Sequence, residues 1–328
     1  MKLTSNRLKL LIEGGIKGCV AVVRRVNEEV EDDPATALER LEIGTRRKVA
    51  LRIDSSGEDI LKDCVKGKHR SFREIDFMGE ESLKDTALDL TDEAKICALM
   101  DAVDGTDLVE RGFGNWCSDV VFFAPAEPPG KRILGSVVTL PSGCTYFARR
   151  DLEGAFVVRR RRKTPQLLKS ISSCTALRDA SICFYGQKIG NLLATCESGL
   201  LRHIESLNPR PHDKSGKENN CRIYNLAGVP MMMRLLDAVS PYPRRVDAVF
   251  DAKGQQPHDV IPGAYIAMRA GASLLDLSGH DLTLEKLEHA LLRPASEKIR
   301  YVLAGTRELG SEIAAALSGR TLNQGKIS

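Results

Sequence analysis

The stretch Leu99-Met100-Asp101-Ala102-Val103-Asp104-Gly105-Thr106-Asp107 decides how this chain is read. The apolar run 96–100 reads as a short buried strand, and two aspartates three positions apart stand at its end. Gly105 and Thr106 follow at once. A strand that stops in Asp-x-x-Asp-Gly-Thr brings two carboxylates, a freely turning glycine and a hydroxyl into one small volume, which is what a hard cation requires. The same residues also make an ordinary strand followed by a polar turn. The remainder of the chain has to separate the two readings.

Upstream, 75–78 reads as a strand running into Gly79-Glu80-Glu81-Ser82, and a helix is expected from Ser55 or Ser56 to Val65 with Asp54 just ahead of it. A first helix, capped by Thr4 or Ser5, runs to about Glu31 with Leu8, Leu11, Ile12, Ile16, Cys19, Val20, Val23 and Val26 on one side. Asp33 before Pro34 marks its end or a break. Downstream, four short segments at 120–123, 133–140, 144–147 and 155–158, separated by Pro/Gly turns, suggest an antiparallel meander. The basic run 159–163 closes it. Without interleaved aromatics for base stacking, it reads as a charged sheet edge.

Beyond Pro165 the pattern alternates. Strands are expected at 181–185, 222–226, 246–250, 273–277 and 300–304, and helices at 189–207, 230–239, 260–270, 284–292 and 306–317. Such alternation argues for an α/β layer in the second half. In that half, Asp259 stands directly before a helix, where a helix N-cap is the other reading.

With 328 residues the chain can bury a full core as one large domain or two intimate ones, here 1–165 (α+β) and 166–328 (α/β). A formal charge of +4 is small for this length, so it gives no overall reason to expect a nucleic-acid or membrane partner. Nine cysteines, odd in number and never in Cys-x-x-Cys spacing, argue against a disulfide framework and a zinc site, and fit a reducing compartment. Lys9, Glu13 and Lys17 interrupt the apolar stretch 8–23, and no run reaches the roughly 20 apolar residues of a membrane span. A soluble, cytoplasmic protein is expected.

Gly79-Glu80-Glu81-Ser82, Asp101-Ala102-Val103-Asp104-Gly105-Thr106 and His258-Asp259-Val260 leading into Ala270-Gly271-Ala272 resemble the inositol monophosphatase superfamily. The family hallmarks are Gly-Glu-Glu, Asp-Pro-(Ile/Leu)-Asp-Gly-Thr and Trp-Asp-x-Ala-(Ala/Gly), in that order, and Gly154-Ala155-Phe156 matches a further family turn. The resemblance implies a layered αβαβα sandwich of the sugar-phosphatase type and a phosphomonoesterase working with two or three Mg2+ ions. By matching position, Glu80, Asp101, Asp104 and Asp259 would be metal ligands, with the carbonyl of Val103. Thr106 would orient the attacking water, with Asp54 paired to that threonine, so Thr106, Glu80 and Asp54 are the catalytic candidates. Leu51 stands where the family usually has a threonine three residues before that aspartate. Gly105, Thr106, Gly228, Asp251 and His258 are the substrate-side candidates.

The physics agrees. Ionised carboxylates converging on one point repel by about 4 kcal/mol per pair at 4 Å with an effective dielectric near 20, so such a cluster needs cations or protons between its members. An oxygen-only ligand set, with no Cys or His nearby, favours Mg2+ over zinc.

Departures from the pattern fall on the substrate side. Ala102 replaces proline, His258 replaces tryptophan, and Ala227-Gly228-Val229-Pro230 matches a glycine-threonine motif only loosely. His258 is a substrate contact or a loop histidine facing solvent. Met231 to Met233 and Trp116 read as packing residues. The expected substrate is a small phosphorylated polyol or sugar, with a fructose-1,6-bisphosphatase or a 3'(2'),5'-bisphosphate nucleotidase as alternatives. A non-catalytic phosphate-ligand sensor or interaction protein is the alternative of another class. A homodimer and inhibition by lithium are further implications of the resemblance.

Overall fold

The computed structural model describes residues 4–43, 48–80, 88, 92, 95–160, 162–168, 171–208, 220–226, 228–236 and 246–319. Glu81, Ser82, Ala227 and most of the 208–220 loop lie outside the described residues.

Thr4 opens α1 (Ser5–Asp32) by accepting the Arg7 amide at 3.3 Å. Its buried face carries Leu8, Leu11, Cys19, Val22 and Val26, spaced by three, four and seven to eight residues as a helical stripe requires. Val22 belongs to that stripe, and Val20, expected there, is 41% exposed. Asp33 ends α1 and caps a short α2 (Pro34–Ala37) through the Thr36 amide. A hairpin not anticipated from the sequence, β1 (Arg40–Ile43) with β2 (Lys48–Leu51), precedes α3 (Arg52–Lys66). That helix begins at Arg52, so Asp54 lies in its first turn rather than ahead of it. Gly14 and Gly18 let α1 approach α3 closely: a Cβ there would stand 3.1 Å from Val65 Cα and 3.2 Å from Leu61 Cα.

The next strands form a seven-stranded sheet in sequence order. β3 (Asp76–Gly79) runs parallel to β4 (Cys97–Asp104), which turns at α4 (Thr106–Glu110) into β5 (Cys117–Phe123). Then follow β6 (Ile133–Thr139), β7 (Thr145–Arg149), β8 (Ala155–Arg159) and β9 (Arg162–Leu167), each antiparallel to its predecessor. The meander is as expected. Of the basic run, Arg159 ends β8, and Arg162 and Lys163 open β9, the edge strand on that side, where Pro165 is tolerated because an edge strand has amides facing outward.

The second half alternates: β10 (Ser181–Phe184), α5 (Ile189–Cys196), α6 (Leu200–Ser206), β11 (Arg222–Tyr224), α7 (Val229–Leu235), β12 (Ala248–Gln255), α8 (Ile261–Arg269), β13 (Ser273–Leu275), α9 (Leu284–Leu291), β14 (Ile299–Ala304) and α10 (Arg307–Leu317). The single helix expected over 189–207 is two, broken at Glu197-Ser198-Gly199. The five strands are ordered β11-β10-β12-β14-β13, with β14 antiparallel to both neighbours.

Three apolar clusters set the layers. Leu11, Leu61, Phe122 and Val137 join α1 and α3 to one face of the large sheet. Val121, Met232, Ile266, Leu291 and Leu303 fill the space between the sheets with α7, α8 and α9, and Met233 is buried there too. Phe250, Val302, Leu200 and Ile313 pack α6 and α10 on the far face of the small sheet. The result is the expected αβαβα sandwich, whose middle core draws on both halves of the chain. Glu288, fully buried in α9, ties that core to the start of β6 by accepting the Gly130 and Ile133 amides at 2.5 and 3.0 Å. Trp116 packs in the first cluster, and none of the nine cysteines is in a disulfide. Among the described residues, no helix is long and apolar enough to cross a membrane.

Candidate active site

A cleft of about 650 Å3 opens beside the end of β4. Asp54, Glu80, Asp101, Val103, Asp104, Gly105, Thr106, Gly228, His258 and Asp259 line it; of the expected site residues, Asp251 does not.

The strand expected to end at Met100 continues through Asp104, and its pairing with β5 shifts register between Asp101 and Asp104. This shift matters. In a regular strand, residues three apart face opposite sides, whereas here carboxylate oxygens of Asp101, Asp104 and Asp259 all lie within 4.8 Å of one another. Asp101 Oδ1 accepts the Val103 amide at 3.0 Å across the irregularity. Gly105 then takes φ 98°, a left-handed value that suits glycine, and caps α4.

Thr106, the first residue of α4, places Oγ1 2.9 Å from Asp54 Oδ1 and 2.8 Å from the Val103 carbonyl. Its one proton serves one acceptor at a time, and its lone pairs are left to accept from a water. Asp104 Oδ2 accepts the Val229 amide at 3.2 Å, fastening the β4 motif to the start of α7, where Gly228 is the cap. Asp259 is not the cap of α8. It closes the 3-10 turn Pro257–Asp259, with Oδ2 accepting the Gln256 amide at 3.2 Å.

His258 does not face solvent. It is 1% exposed, Nε2 stands 3.4 Å from Asp259 Oδ1, and Nδ1 has no hydrogen-bond partner among the described residues. Asp251 is also 1% exposed, its carboxylate accepting from Asn191 Nδ2 at 3.2 Å, the Lys253 amide at 2.8 Å and the Gly254 amide. The side chains of its neighbourhood that line the cleft are Lys253 and Gln255, joined there by Lys188 and Lys298.

Burial pushes the carboxyls of Asp101, Asp104 and Asp119 well above the usual range, and their mutual repulsion with Glu80 and Asp259 adds to it. Burial raises Asp259 as well, partly offset by His258. The folded chain without cations therefore holds protons here, the response expected of converging acids.

Two residues of this cluster were not singled out in the sequence: Cys117 and Asp119. The β4–β5 ladder sets Asp119 opposite Asp101 and Cys117 opposite Asp104. Asp119 is fully buried; its Oδ2 lies 3.6 Å from Cys117 Sγ, and its Oδ1 has no partner among the described residues. A polar Cys-Ser-Asp opening an otherwise apolar strand was the available signal. Among the described residues, ligand atoms thus come together in three groups: Asp101, Asp104 and Asp259; Glu80, Asp101 and His258; and Asp104, Cys117 and Asp119. The oxygen-only set expected from the sequence describes the first group. The other two bring in a nitrogen or a sulfur.

No protein-family model matches the sequence, and no curated protein is significantly similar to it. Solved structures are similar over nearly the whole chain. The IMPase of Thermotoga maritima is 14% identical, covers 94% of this chain and 96% of its own, and superposes with a TM-score of 0.62. The extragenic suppressor protein suhB from Bartonella henselae is 16% identical, with 98% of this chain and 100% of its own covered and a TM-score of 0.60. Staphylococcal IMPase-I, solved with products, is 16% identical over 98% of this chain and 97% of its own, with a TM-score of 0.61. The chain has the inositol monophosphatase fold.

Proposed function

We propose that this chain is a member of the inositol monophosphatase superfamily that hydrolyses a small phosphate monoester with divalent cations held by Glu80, Asp101, Asp104 and Asp259. The convergence of Asp101, Asp104 and Asp259 oxygens within 4.8 Å, beside the Thr106–Asp54 pair, carries this reading. The Asp101, Asp104 and Asp259 oxygens are close enough for one ion to touch all three, and oxygen ligands of this kind suit Mg2+. Bound there, such ions would neutralise the carboxylates, clamp phosphate oxygens and acidify a water.

The chain's own residues supply the rest. Thr106 Oγ1, donating to Asp54, accepts a proton of the attacking water and fixes its direction, and Asp54 is the base at the end of that relay. Gly105 and Thr106 line the cleft at the start of α4, where their amides would add donors for an anion, and Lys188, Lys253 and Lys298 line it too, suiting an anionic ligand. Staphylococcal IMPase-II has been solved with inositol monophosphate bound, at 17% identity over 94% of this chain and 93% of its own and a TM-score of 0.57. A phosphorylated polyol or sugar is accordingly the substrate class proposed here, and a homodimer the proposed assembly.

The test is release of inorganic phosphate over a panel of polyol, sugar and nucleotide phosphates, with and without Mg2+. Mg2+-dependent release supports the proposal. Negligible release in both conditions sinks it.

A further inference from the structure

We propose that His258 is a metal ligand, so that the Glu80–Asp101–His258 position takes a first-row transition ion in preference to Mg2+, beside the all-oxygen position of Asp101, Asp104 and Asp259. The inference rests on the reading of the cleft as a cation site. It goes further in giving the two positions different ligand chemistry.

Three side chains from separate parts of the fold meet here. Glu80 follows β3, Asp101 lies in β4 and His258 in the 3-10 turn before α8, and one ligand atom of each lies within 4.8 Å of the others. The acids alone would not identify the ion. The imidazole does, because it is 1% exposed with Nδ1 lacking any hydrogen-bond partner among the described residues. A buried polar atom with no partner is costly, and few native structures keep one without a reason. A cation satisfies it.

The other nitrogen fits the same assignment. Nε2 stands 3.4 Å from Asp259 Oδ1. At that distance the pair is an ion-pair contact rather than a formed hydrogen bond, and it needs only a small shift to become one. Imidazoles that ligate metals commonly donate their second N–H to a carboxylate, which leaves the first nitrogen's lone pair for the ion. We assign that role to Nδ1, the nitrogen without a hydrogen-bond partner among the described residues. Mg2+ prefers oxygen and gives up water reluctantly, whereas imidazole affinity climbs along the first-row series. Glu80 and Asp101 supply charge, and His258 supplies the discrimination.

The full chain, stripped with a chelator, is titrated with Co2+ in the presence of a hundredfold excess of Mg2+, and bound Co2+ is followed by its visible bands and by proton NMR. The expected result is one retained Co2+ with a strongly shifted, exchangeable imidazole N–H resonance. In His258→Gln, which keeps size and polarity, that resonance disappears and Co2+ binds about ten- to a hundredfold more weakly. Co2+ bound without a shifted imidazole proton, or displaced by Mg2+ equally in both proteins, overturns the proposal. If the variant does not fold, as judged by circular dichroism, the wild-type resonance decides alone. Phosphate release is measured on the same preparation with Mg2+ alone and with Mg2+ and Co2+ together. Release without the resonance leaves the hydrolase standing and removes His258, the resonance without release does the reverse, and no cation binding overturns both.

Discussion

Thr106 Oγ1 and Asp54 Oδ1, 52 residues apart in the chain, stand 2.9 Å from each other at the edge of the carboxylate cluster. The first turn of α3 carries the acid and the first residue of α4 the hydroxyl. Asp54 shares that hydroxyl's proton with the Val103 carbonyl, 2.8 Å away, and in the proposed mechanism the hydroxyl's lone pairs would orient a water. Asp54→Asn keeps the shape and removes the base. A fall in kcat of about 10²- to 10⁴-fold, with little change in KM, is expected. A fall confined to KM would mean that the pair binds substrate instead.

Asp104 belongs to two of the three ligand groups and accepts the Val229 amide. Asp104→Asn can still accept that hydrogen bond but loses the charge. Phosphate release and the cation-induced rise in melting temperature should both vanish while the circular dichroism spectrum stays unchanged. A variant that binds cation and turns over normally would remove Asp104 from the site.

The pH dependence of stability follows from the raised acids. Asp101, Asp104 and Asp119 keep protons in the folded, cation-free protein at pH values where the unfolded chain, titrating near about 3.9, has lost them. The folded state then binds more protons, so stability falls as pH rises from the unfolded value through the raised ones. Cations displace those protons, and their stabilising effect grows with pH. Chelated protein should melt lower at pH 8 than at pH 5.5, and added Mg2+ should raise the melting temperature more at pH 8. The opposite trend in either series contradicts this account of the cluster.

Glu288 offers a test of the fold away from the cleft. Its carboxylate accepts the buried Ile133 amide at the start of β6 and the part-buried Gly130 amide of the turn before it. Glu288→Ala strands both donors, and urea denaturation should register a loss of about 1–3 kcal/mol for each amide left without a partner. A loss below about 0.5 kcal/mol would mean that water replaces the carboxylate.

Lithium is expected to slow phosphate release, by the resemblance of the acidic motifs. An unchanged rate in millimolar lithium would count against close kinship with the inositol monophosphatases.

What the sequence determined by itself was local and periodic. The heptad-like spacing in α1, the Pro/Gly turns of the meander and the alternation after Pro165 reflect backbone preferences and one-sided burial, which neighbouring residues set. Glu80, Asp101, Asp104, Thr106 and Asp259 were legible through the order of their three motifs and the resemblance those motifs carry, since each acid alone also reads as a turn residue or a helix cap. Tertiary structure alone decided which atoms meet. The register shift in β4 turns Asp101 and Asp104 toward one point, and the β4–β5 ladder adds Cys117 and Asp119. Likewise the 3-10 turn buries His258 against Asp259, whereas Asp251, which does not line the cleft, accepts the Lys253 and Gly254 amides where β12 is irregular. Side-chain direction at such places depends on strand register and turn geometry, which long-range packing fixes and a local sequence window cannot. The opening Asp-x-x-Asp-Gly-Thr thus offered the oxygens of a candidate cation site, and the fold placed nitrogen and sulfur atoms beside them.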